Sequence, residues 1–128
     1  MNQSEAKKPG GYRDLIVWQK SMALARQVYE LTQGFPAEEK FGLTSQMRRA
    51  AVSIPSSIAE GQAPRGTREF IQFIAQAEGS LAELYTQLTL AIDFGHVEAT
   101  RTEKAVALIE ELRRMLNALR RKLETPCS

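Results

Sequence analysis

The stretch FIQFIAQAEGSLAELYTQLTLA, residues 70–91, decides the fold of this chain. Apolar side chains recur in it at alternating spacings of four and three residues, which is the period of one face of an amphipathic helix. The members of this heptad are Phe70, Ile74, Ala77, Leu81, Leu84, Leu88 and Ala91. We therefore predict a long helix that begins just after Thr67, ends just before Gly95 and turns this stripe towards a core.

Three further helices are predicted outward from this one. The four helices are expected near residues 14–33, 44–61, 67–94 and 100–124. Thr44 is the expected N-cap of the second helix, and Thr100 with Glu103 forms a capping box at the start of the fourth. Because the connections are short and almost no strand signal exists, the sequence predicts an all-α, antiparallel up-and-down four-helix bundle over residues 12–124.

Each of the other helices has an apolar stripe of its own. The first is expected to bury Leu15, Trp18, Met22, Ala25 and Tyr29. The second is expected to bury Met47, Ala50, Ala51, Ile54 and Ile58. The fourth is expected to bury Ala105, Ile109, Leu112, Leu116, Leu119 and Leu123. These stripes supply the rest of the predicted core.

Length and composition are those of one soluble globular domain, with 128 residues of which 43% are apolar and 25% charged. The net charge of +2 is too small to indicate nucleic acid or acidic lipid by itself. Cys127 is the only cysteine, so no intrachain disulfide forms, and no apolar run approaches the ~20 residues that span a bilayer. No signal peptide is recognisable, which favours a cytoplasmic protein without a membrane partner. Residues 1–11 are predicted to be a flexible arm and residues 125–128 a flexible tail.

Two of the predicted helices carry more apolar surface than a bundle interior requires. The third adds Ile71, Phe73, Ala75, Ala82, Tyr85 and Ile92. The first adds Val17, Leu24, Val28 and Leu31. Either the arm or the connection 34–43 covers these side chains, or they meet another subunit, since monomers rarely leave large apolar patches in water. We favour the second interpretation, a cyclic homo-oligomer.

The segment QMRRAAVSIPSSIAEG, residues 46–61, combines residues that ordinary helix packing does not require. Pro55 removes one helical hydrogen bond and disfavours helical geometry before it, so a kink or restart of the second helix is expected. Ser53, Ser56 and Ser57 are expected to satisfy the freed backbone groups.

The same segment contains a candidate charge network. Arg48 and Arg49 are adjacent to buried positions, so at least one of them must flank the core. Glu60 and Glu78 are the expected carboxylate partners, because an unpaired charge buried there is costly. A structural or intersubunit ion pair is favoured over a phosphate-binding site.

Basic residues collect on the fourth helix and before the third. They are Arg65, Arg68, Arg113, Arg114, Arg120, Arg121 and Lys122. The simplest interpretation is a solvated face, in which Glu110 pairs with Arg114 and cations in the last turn complement the helix dipole. The alternative is a nucleic-acid surface whose field is multiplied by cyclic assembly. No interleaving of aromatic and basic residues of the single-strand-binding type is visible.

No reaction centre is recognisable, so the chain is predicted not to be an enzyme and to need no cofactor, metal or small-molecule substrate. His96 is the only histidine, which excludes the paired-histidine metal motifs of helix bundles. GQAPRG at 61–66 has the spacing of a phosphate-binding loop, but Thr67 stands where the lysine is required and no strand precedes it. The roles of His96 and Cys127 are left open.

Several ordered motifs resemble those of one bacterial family. They are YRDLIVWQ at 12–19, FP at 35–36, GLTSQMRRAA at 42–51, VSIPSSIAEG at 52–61 and GSLAEL at 79–84. Together they are similar to the bacterial four-helix bundle proteins first found as reading frames in intervening sequences of large-subunit ribosomal RNA genes. The resemblance covers about residues 12–97, and the fourth helix matches only in type. Ser57 stands where the family usually has asparagine.

The resemblance implies a cytoplasmic protein without an established enzymatic activity, whose relatives form rings of five bundles. A related branch, the accessory proteins of diversity-generating retroelements, also forms five-membered barrels, and these bind a reverse transcriptase and nucleic acid through basic surface. The prediction is therefore a non-catalytic homo-oligomer, by resemblance a homopentamer, that acts as a scaffold or interaction protein. The alternative is a nucleic-acid-binding accessory protein with RNA or DNA, and a reverse transcriptase, as partners.

Overall fold

The computed structural model describes residues 11–63 and 66–125, and within these ranges it contains four α-helices and no β-strand. The helices are α1 (Ile16–Thr32), α2 (Leu43–Gly61), α3 (Thr67–Asp93) and α4 (Glu103–Glu124). Short 3₁₀ turns at Tyr12–Asp14, Ala37–Glu39 and Ala99–Thr102 precede α1, α2 and α4. The all-α prediction is confirmed. Residues 1–10 of the predicted arm and 126–128 of the predicted tail, with Cys127, lie outside the described residues.

The helices pack as a four-membered bundle, in which α1 contacts α2, α2 contacts α3, α3 contacts α4 and α4 returns to α1. Consecutive helices run antiparallel because their connections are short. All four contribute to one aliphatic core, for example through Leu24, Ile54, Leu84 and Leu112, none of which is exposed. Burial of this apolar surface is the main driving force for folding. No helix within residues 11–63 and 66–125 has both the length and the hydropathy to cross a membrane.

The stripes predicted for α2 and α3 do form the core. Six of the seven heptad residues of α3 are buried, and Phe70 at its start is partly covered. All five positions predicted on α2 are buried. On α4 the buried residues are Ala105, Ile109, Leu112 and Leu116. Leu119 and Leu123 lie partly exposed, because this end of α4 extends towards solvent.

The predicted core stripe of α1 is wrong, since this helix turns its other apolar stripe inward. The buried residues are Val17, Leu24, Val28 and Leu31. Trp18 and Met22 of the predicted stripe are only partly covered, and Tyr29 is 43% exposed. Both stripes have the helical period, so periodicity did not distinguish them. Trp and Tyr carry polar groups that are best kept near water, which leaves the purely aliphatic stripe for the core.

The predicted start of α2 also needs correction. Thr44 lies inside the helix, and Gly42 occupies the N-cap position without a side-chain cap of its own. The carboxylate of Glu39 caps the helix instead, because its Oε1 accepts the N–H of Leu43 at 3.0 Å. A preceding turn thus supplies the group that the N-cap residue lacks.

The capping box predicted for α4 does not form. Thr100 lies in the preceding 3₁₀ turn, and α4 begins at Glu103. Thr102 occupies the N-cap position, but its hydroxyl donates to the carbonyl of Ala99 at 2.7 Å rather than accepting a helical N–H. Because residues 99–102 form this 3₁₀ turn, α4 begins at Glu103 and not at Thr100, where the sequence predicted its start.

Pro55 does not interrupt α2, which is continuous from Leu43 to Gly61. The hydroxyl of Ser53 bonds to the carbonyl of Ala50 at 2.8 Å and lies 2.6 Å from the hydroxyl of Ser80 on α3. It therefore does not satisfy the carbonyl of Ala51, whose usual partner the proline removes. Of the kink or restart that was predicted, the restart does not occur, and Ser53 joins α2 to α3.

Candidate interaction surface

An open groove runs along the outside of the bundle between α1 and α2. We call it the α1–α2 groove, and it is lined by Trp18, Met22 and Tyr29 of α1 and by Val52, Pro55 and Ala59 of α2. It consists of a larger cavity of about 630 Å³ and a smaller one of about 350 Å³, both of which are lined by Val52. Because the two cavities share this side chain, the groove is continuous across several turns of both helices.

Large apolar side chains in and beside the groove remain in water. Tyr29 is 43% exposed, Val52 is 44% exposed, and Phe41 in the α1–α2 connection is 88% exposed. A single exposed apolar side chain is ordinary, but several that line one continuous surface indicate an interaction site. Four of the five residues that α1 was predicted to bury line this groove: Trp18, Met22, Ala25 and Tyr29.

One end of the groove is basic, and its central cation is held in place. The guanidinium carbon of Arg48 lies 4.5 Å from the centroid of the Tyr29 ring. Its Nε donates to the hydroxyl of Thr32 at 2.8 Å, and its Nη2 donates to the carbonyl of Tyr29 at 3.4 Å. The Thr32 hydroxyl donates in turn to the carbonyl of Val28 at 2.8 Å. Stacking and hydrogen bonds together fix the orientation of the guanidinium.

Two more cations stand at this end of the groove. Arg49 is exposed and has no ion pair within residues 11–63 and 66–125. The ammonium of Lys40 lies 5.5 Å from the ring centroid of Phe41. With Arg48 and Tyr29 these side chains line the larger cavity, and none of its described lining residues is a carboxylate. Aromatic and basic groups do interleave here, although they are too far apart in sequence for the linear pattern to reveal it.

The predicted ion pairs of Arg48 and Arg49 with Glu60 and Glu78 do not form among the described residues. Glu78 pairs with Arg120 of α4, with Oε1 at 2.6 Å from Nε. Glu60 is exposed and has no ion pair in the part of the chain that the structure describes. The reason is geometric, since Arg48 bonds to Thr32 and Tyr29 of α1 whereas Glu78 faces Arg120 of α4. An ion pair of either arginine with another subunit stays a prediction.

Part of the predicted nucleic-acid surface is neutralised by neighbouring carboxylates. Arg120 donates hydrogen bonds to Glu78 and also to Glu124 at 3.2 Å, and the bond that Glu78 accepts is the main cause that raises the pKa of Arg120. Arg113 pairs with Glu110 at 3.2 Å, whereas the sequence predicted Arg114 as the partner of that glutamate. These two arginines therefore contribute less to the positive potential around the protein than two unpaired arginines would.

The remaining basic residues of that surface are exposed. They are Arg68, Arg114, Arg121 and Lys122. None of them has an ion pair among the described residues. Arg65 lies outside the described residues. Nucleic-acid binding by this surface stays a prediction.

His96 has a role that the sequence did not indicate. Its Nε2 lies 2.8 Å from Oε2 of Glu39, and its ring packs near Phe35 and Phe94, with centroids at 5.6 Å and 5.8 Å. A carboxylate only accepts, so this nitrogen carries a proton. The bond from the Leu43 N–H, and next the bond from His96, lower the pKa of Glu39. The pair joins the α1–α2 connection to the α3–α4 connection.

Fold and surface together define a small all-α bundle protein with an open, partly basic groove, and no group of three or more potential metal ligands occurs in the described ranges. The chain belongs to the family of 23S rRNA-intervening sequence proteins, whose family model matches residues 13–118.

A solved structure resembles this one in fold. It is a protein of unknown function from the S23 ribosomal protein family of Bacteroides thetaiotaomicron, with a TM-score of 0.74. The two chains are 20% identical, and the match covers 86% of this chain and 100% of the other. At that identity the likeness concerns the fold alone. No curated protein is detectably similar in sequence.

Proposed function

We propose that this protein is a non-catalytic, cytoplasmic scaffold or interaction protein that assembles into a cyclic homo-oligomer through the α1–α2 groove. The observation that carries the proposal is the uncovered apolar lining of that groove. Removing apolar surface from water contributes about 25 cal/mol per Å², so a surface that covers the groove gains stability over its whole length. Five subunits is the number that the family resemblance implies.

The shape of the groove favours a protein surface over a small molecule as its occupant. Both cavities are open clefts, and they follow two helices rather than enclosing a compact volume. Small-molecule sites are more enclosed and bury most of their ligand. An apolar channel between two helices is instead the kind of surface into which another helix packs.

Charge placed in the groove tests the proposal. We expect the wild-type mass, measured by light scattering and native mass spectrometry, to be a multiple of the 14.3 kDa subunit. Val52→Glu introduces a charge that assembly would bury unpaired, so its mass should fall towards that of the monomer while its helical circular dichroism is kept. Trp18, the only tryptophan, gives a second readout, since its emission should shift when the groove is covered.

The matched control is Ile16→Glu. Ile16 is 54% exposed and lies on α1, two residues and hence about 200° around the helix from Trp18 of the groove. This variant makes the same kind of change away from the groove and should remain assembled. A wild-type chain that is monomeric at every concentration tested would contradict the proposal, and so would equal losses of mass in the two variants.

The second candidate function is that of a nucleic-acid-binding accessory protein with RNA or DNA, and a polymerase partner, on the basic face of the assembly. The observation that favours it is the set of exposed, unpaired cations Arg114, Arg121 and Lys122 on α4. In a ring this set is repeated by each subunit, which produces a field that one subunit lacks.

Salt dependence tests this second candidate. Binding of a single-stranded RNA oligonucleotide should weaken as salt rises, with a log–log slope near −0.7 for each phosphate contacted. Arg114→Ala combined with Arg121→Ala should make that slope shallower. Arg113→Ala, which removes a cation already paired with Glu110, serves as the control and should change the slope less. Absence of binding at low salt would remove this candidate.

A further inference from the structure

We propose that the surface that fills the α1–α2 groove is the outer face of α3 from a second copy of this chain, with Glu83 of that copy paired to Arg49. This inference rests on the proposed function and adds to it which two surfaces meet. It is supported by the distribution of charge among the helices, by the exposure of acidic side chains on α3, and by the positions of the charged residues along the bundle axis.

The basic groove needs an acidic occupant, and only one helix of this chain is acidic. The range Thr67–Asp93 holds four carboxylates and one arginine, so α3 has a net charge of −3. Counted in the same way, α1 and α2 have a net charge of +1 each and α4 of +2. Opposite charge on the two faces steers their encounter and fixes their register.

The outer face of α3 offers acidic and apolar groups that the chain itself does not use. Glu83 and Asp93 are exposed and have no ion pair within residues 11–63 and 66–125. Leu90 is 40% exposed and Phe94, just past the helix, is 59% exposed. The helical repeat places these four residues on the side of α3 away from the core. This mixture complements a groove with an apolar lining and a basic end.

The heights of the charges along the bundle also agree. Ser53 of α2 lies 2.6 Å from Ser80 of the antiparallel α3, so these two positions are level. Arg49 is four residues before Ser53 and Glu83 is three residues after Ser80, which places them about 6 Å and about 4.5 Å along the same direction. A rotation about an axis parallel to the bundle leaves height unchanged. Arg49 and Glu83 are thus level on neighbouring helices of one subunit, and in a ring of that symmetry Glu83 of one subunit also lies at the height of Arg49 in the next.

The same reasoning aligns a second pair of charges. Asp93 ends α3 at the end of the bundle where Lys40 lies, because α2 begins there and α3 runs in the opposite direction. Since the groove and the outer face of α3 are different surfaces, the contact is heterologous, which generates a ring or a filament rather than a two-fold dimer.

A charge swap tests the pairing. Arg49→Glu and Glu83→Arg, made singly, each place like charges opposite one another and should weaken self-association by about tenfold or more. The double variant carrying both changes restores opposite charges and should recover most of the wild-type association. An equimolar mixture of the two single variants should assemble as well, since each then finds its complement in the other. Association is measured by sedimentation velocity at several concentrations.

Glu103→Arg is the control for net charge, because Glu103 is an exposed carboxylate on α4 and not on α3. It should leave association near the wild-type level. If wild type assembles but neither single variant changes association, or the double variant does not recover, the inference is wrong while the proposed function stands. If the double variant recovers but the mixture of the two single variants does not assemble, the pair lies within one subunit and the inference is also wrong. If Arg49→Glu abolishes binding of an RNA oligonucleotide and leaves assembly intact, the groove is a nucleic-acid site and the inference is overturned. A wild-type chain that never assembles refutes both.

Discussion

The two helical hairpins of the bundle, α1–α2 and α3–α4, differ in how their outer seams are closed. Across α3–α4, Glu78 meets Arg120 through both carboxylate oxygens, at 2.6 Å and 3.5 Å, and the cavity beside this pair is only about 100 Å³. Across α1–α2 the contact at the basic end is made by Arg48 to Thr32, and cavities of about 630 Å³ and 350 Å³ stay open.

The difference lies in where the charges find their partners. In α3–α4, Arg113 and Arg120 beside the seam each have a carboxylate within 3.2 Å, so their charges are neutralised where the two helices meet. In α1–α2 the cations Lys40, Arg48 and Arg49 have no carboxylate partner in the described ranges, although Glu60 is on the same helix as two of them. A closed seam stabilises the monomer, whereas an open and charged seam is suited to a contact with another molecule.

The largest expected difference between the hairpins is in the free energy of unfolding that is lost when one apolar side chain of each is truncated. Leu112→Ala removes a fully buried side chain of α4 and should lower the free energy of unfolding by about 2–5 kcal/mol at every protein concentration. Val52→Ala in the groove should cost less than about 1 kcal/mol in dilute solution, where the side chain is half in water. Its cost should grow with protein concentration, because assembly is linked to folding.

Urea unfolding at two widely separated protein concentrations makes this comparison. Leu112→Ala is the internal control, since its effect has no reason to depend on concentration. A cost of Val52→Ala that is equally large in dilute and concentrated solution would show that the groove residue belongs to the monomer core, and the contrast between the hairpins would then be lost.

A pair of glycines sharpens the contrast between closed and open surfaces. A Cβ on Gly61 would lie 2.7 Å from Cδ1 of Phe70 and 2.9 Å from Cβ of Phe73, so Gly61→Ala forces α2 and α3 apart at an expected cost of about 1–3 kcal/mol. A Cβ on Gly79 of α3 would meet nothing within 4 Å, so Gly79→Ala should stabilise the helix by up to about 1 kcal/mol. Thermal unfolding in dilute solution should move in opposite directions for the two variants.

The core of α2 and α3 was predictable, whereas that of α1 was not. In α3 the apolar residues form one strict heptad, so a single rotation of the helix buries them. In α1 two apolar stripes compete, and the choice between them depends on how Trp18 and Tyr29 pack against α2. That contact is tertiary information which the period of a single helix does not contain.

The basic end of the groove was predictable only in part. Arg48 and Arg49 were identified as residues that helix packing does not require, but within the chain Glu78 pairs with Arg120 instead, because pairing depends on the rotation of each helix in the bundle. Tyr29 and Phe41 join them from two other segments, so the cluster exists only after folding. Glu39 gave no sequence signal at all, since it caps α2 from a preceding turn and meets His96, which is 57 residues away.

The smallest expected effect concerns Glu39, which anchors the open end of α1–α2 to the α3–α4 connection. Its pKa is lowered in the folded chain, so the carboxylate contributes stability that is fully present above its ordinary value of 4.5 and is lost as pH falls through the lower, folded value. Glu39→Gln keeps an oxygen that accepts the Leu43 N–H but has no charge to titrate. The difference in stability between wild type and Glu39→Gln should therefore shrink as pH is lowered from 6 to about 3.

Thermal unfolding across this pH range reports on Glu39 together with its partner His96, because carboxylates elsewhere titrate alike in both proteins and cancel in the difference. Glu38→Gln is the matched control, since Glu38 is an exposed neighbour with no ion pair in the described ranges, and its difference from wild type should stay nearly constant. Parallel curves for wild type and Glu39→Gln would mean that the carboxylate does not hold the connection. The end of the groove that carries Lys40 and Phe41 would then be set by helix packing alone.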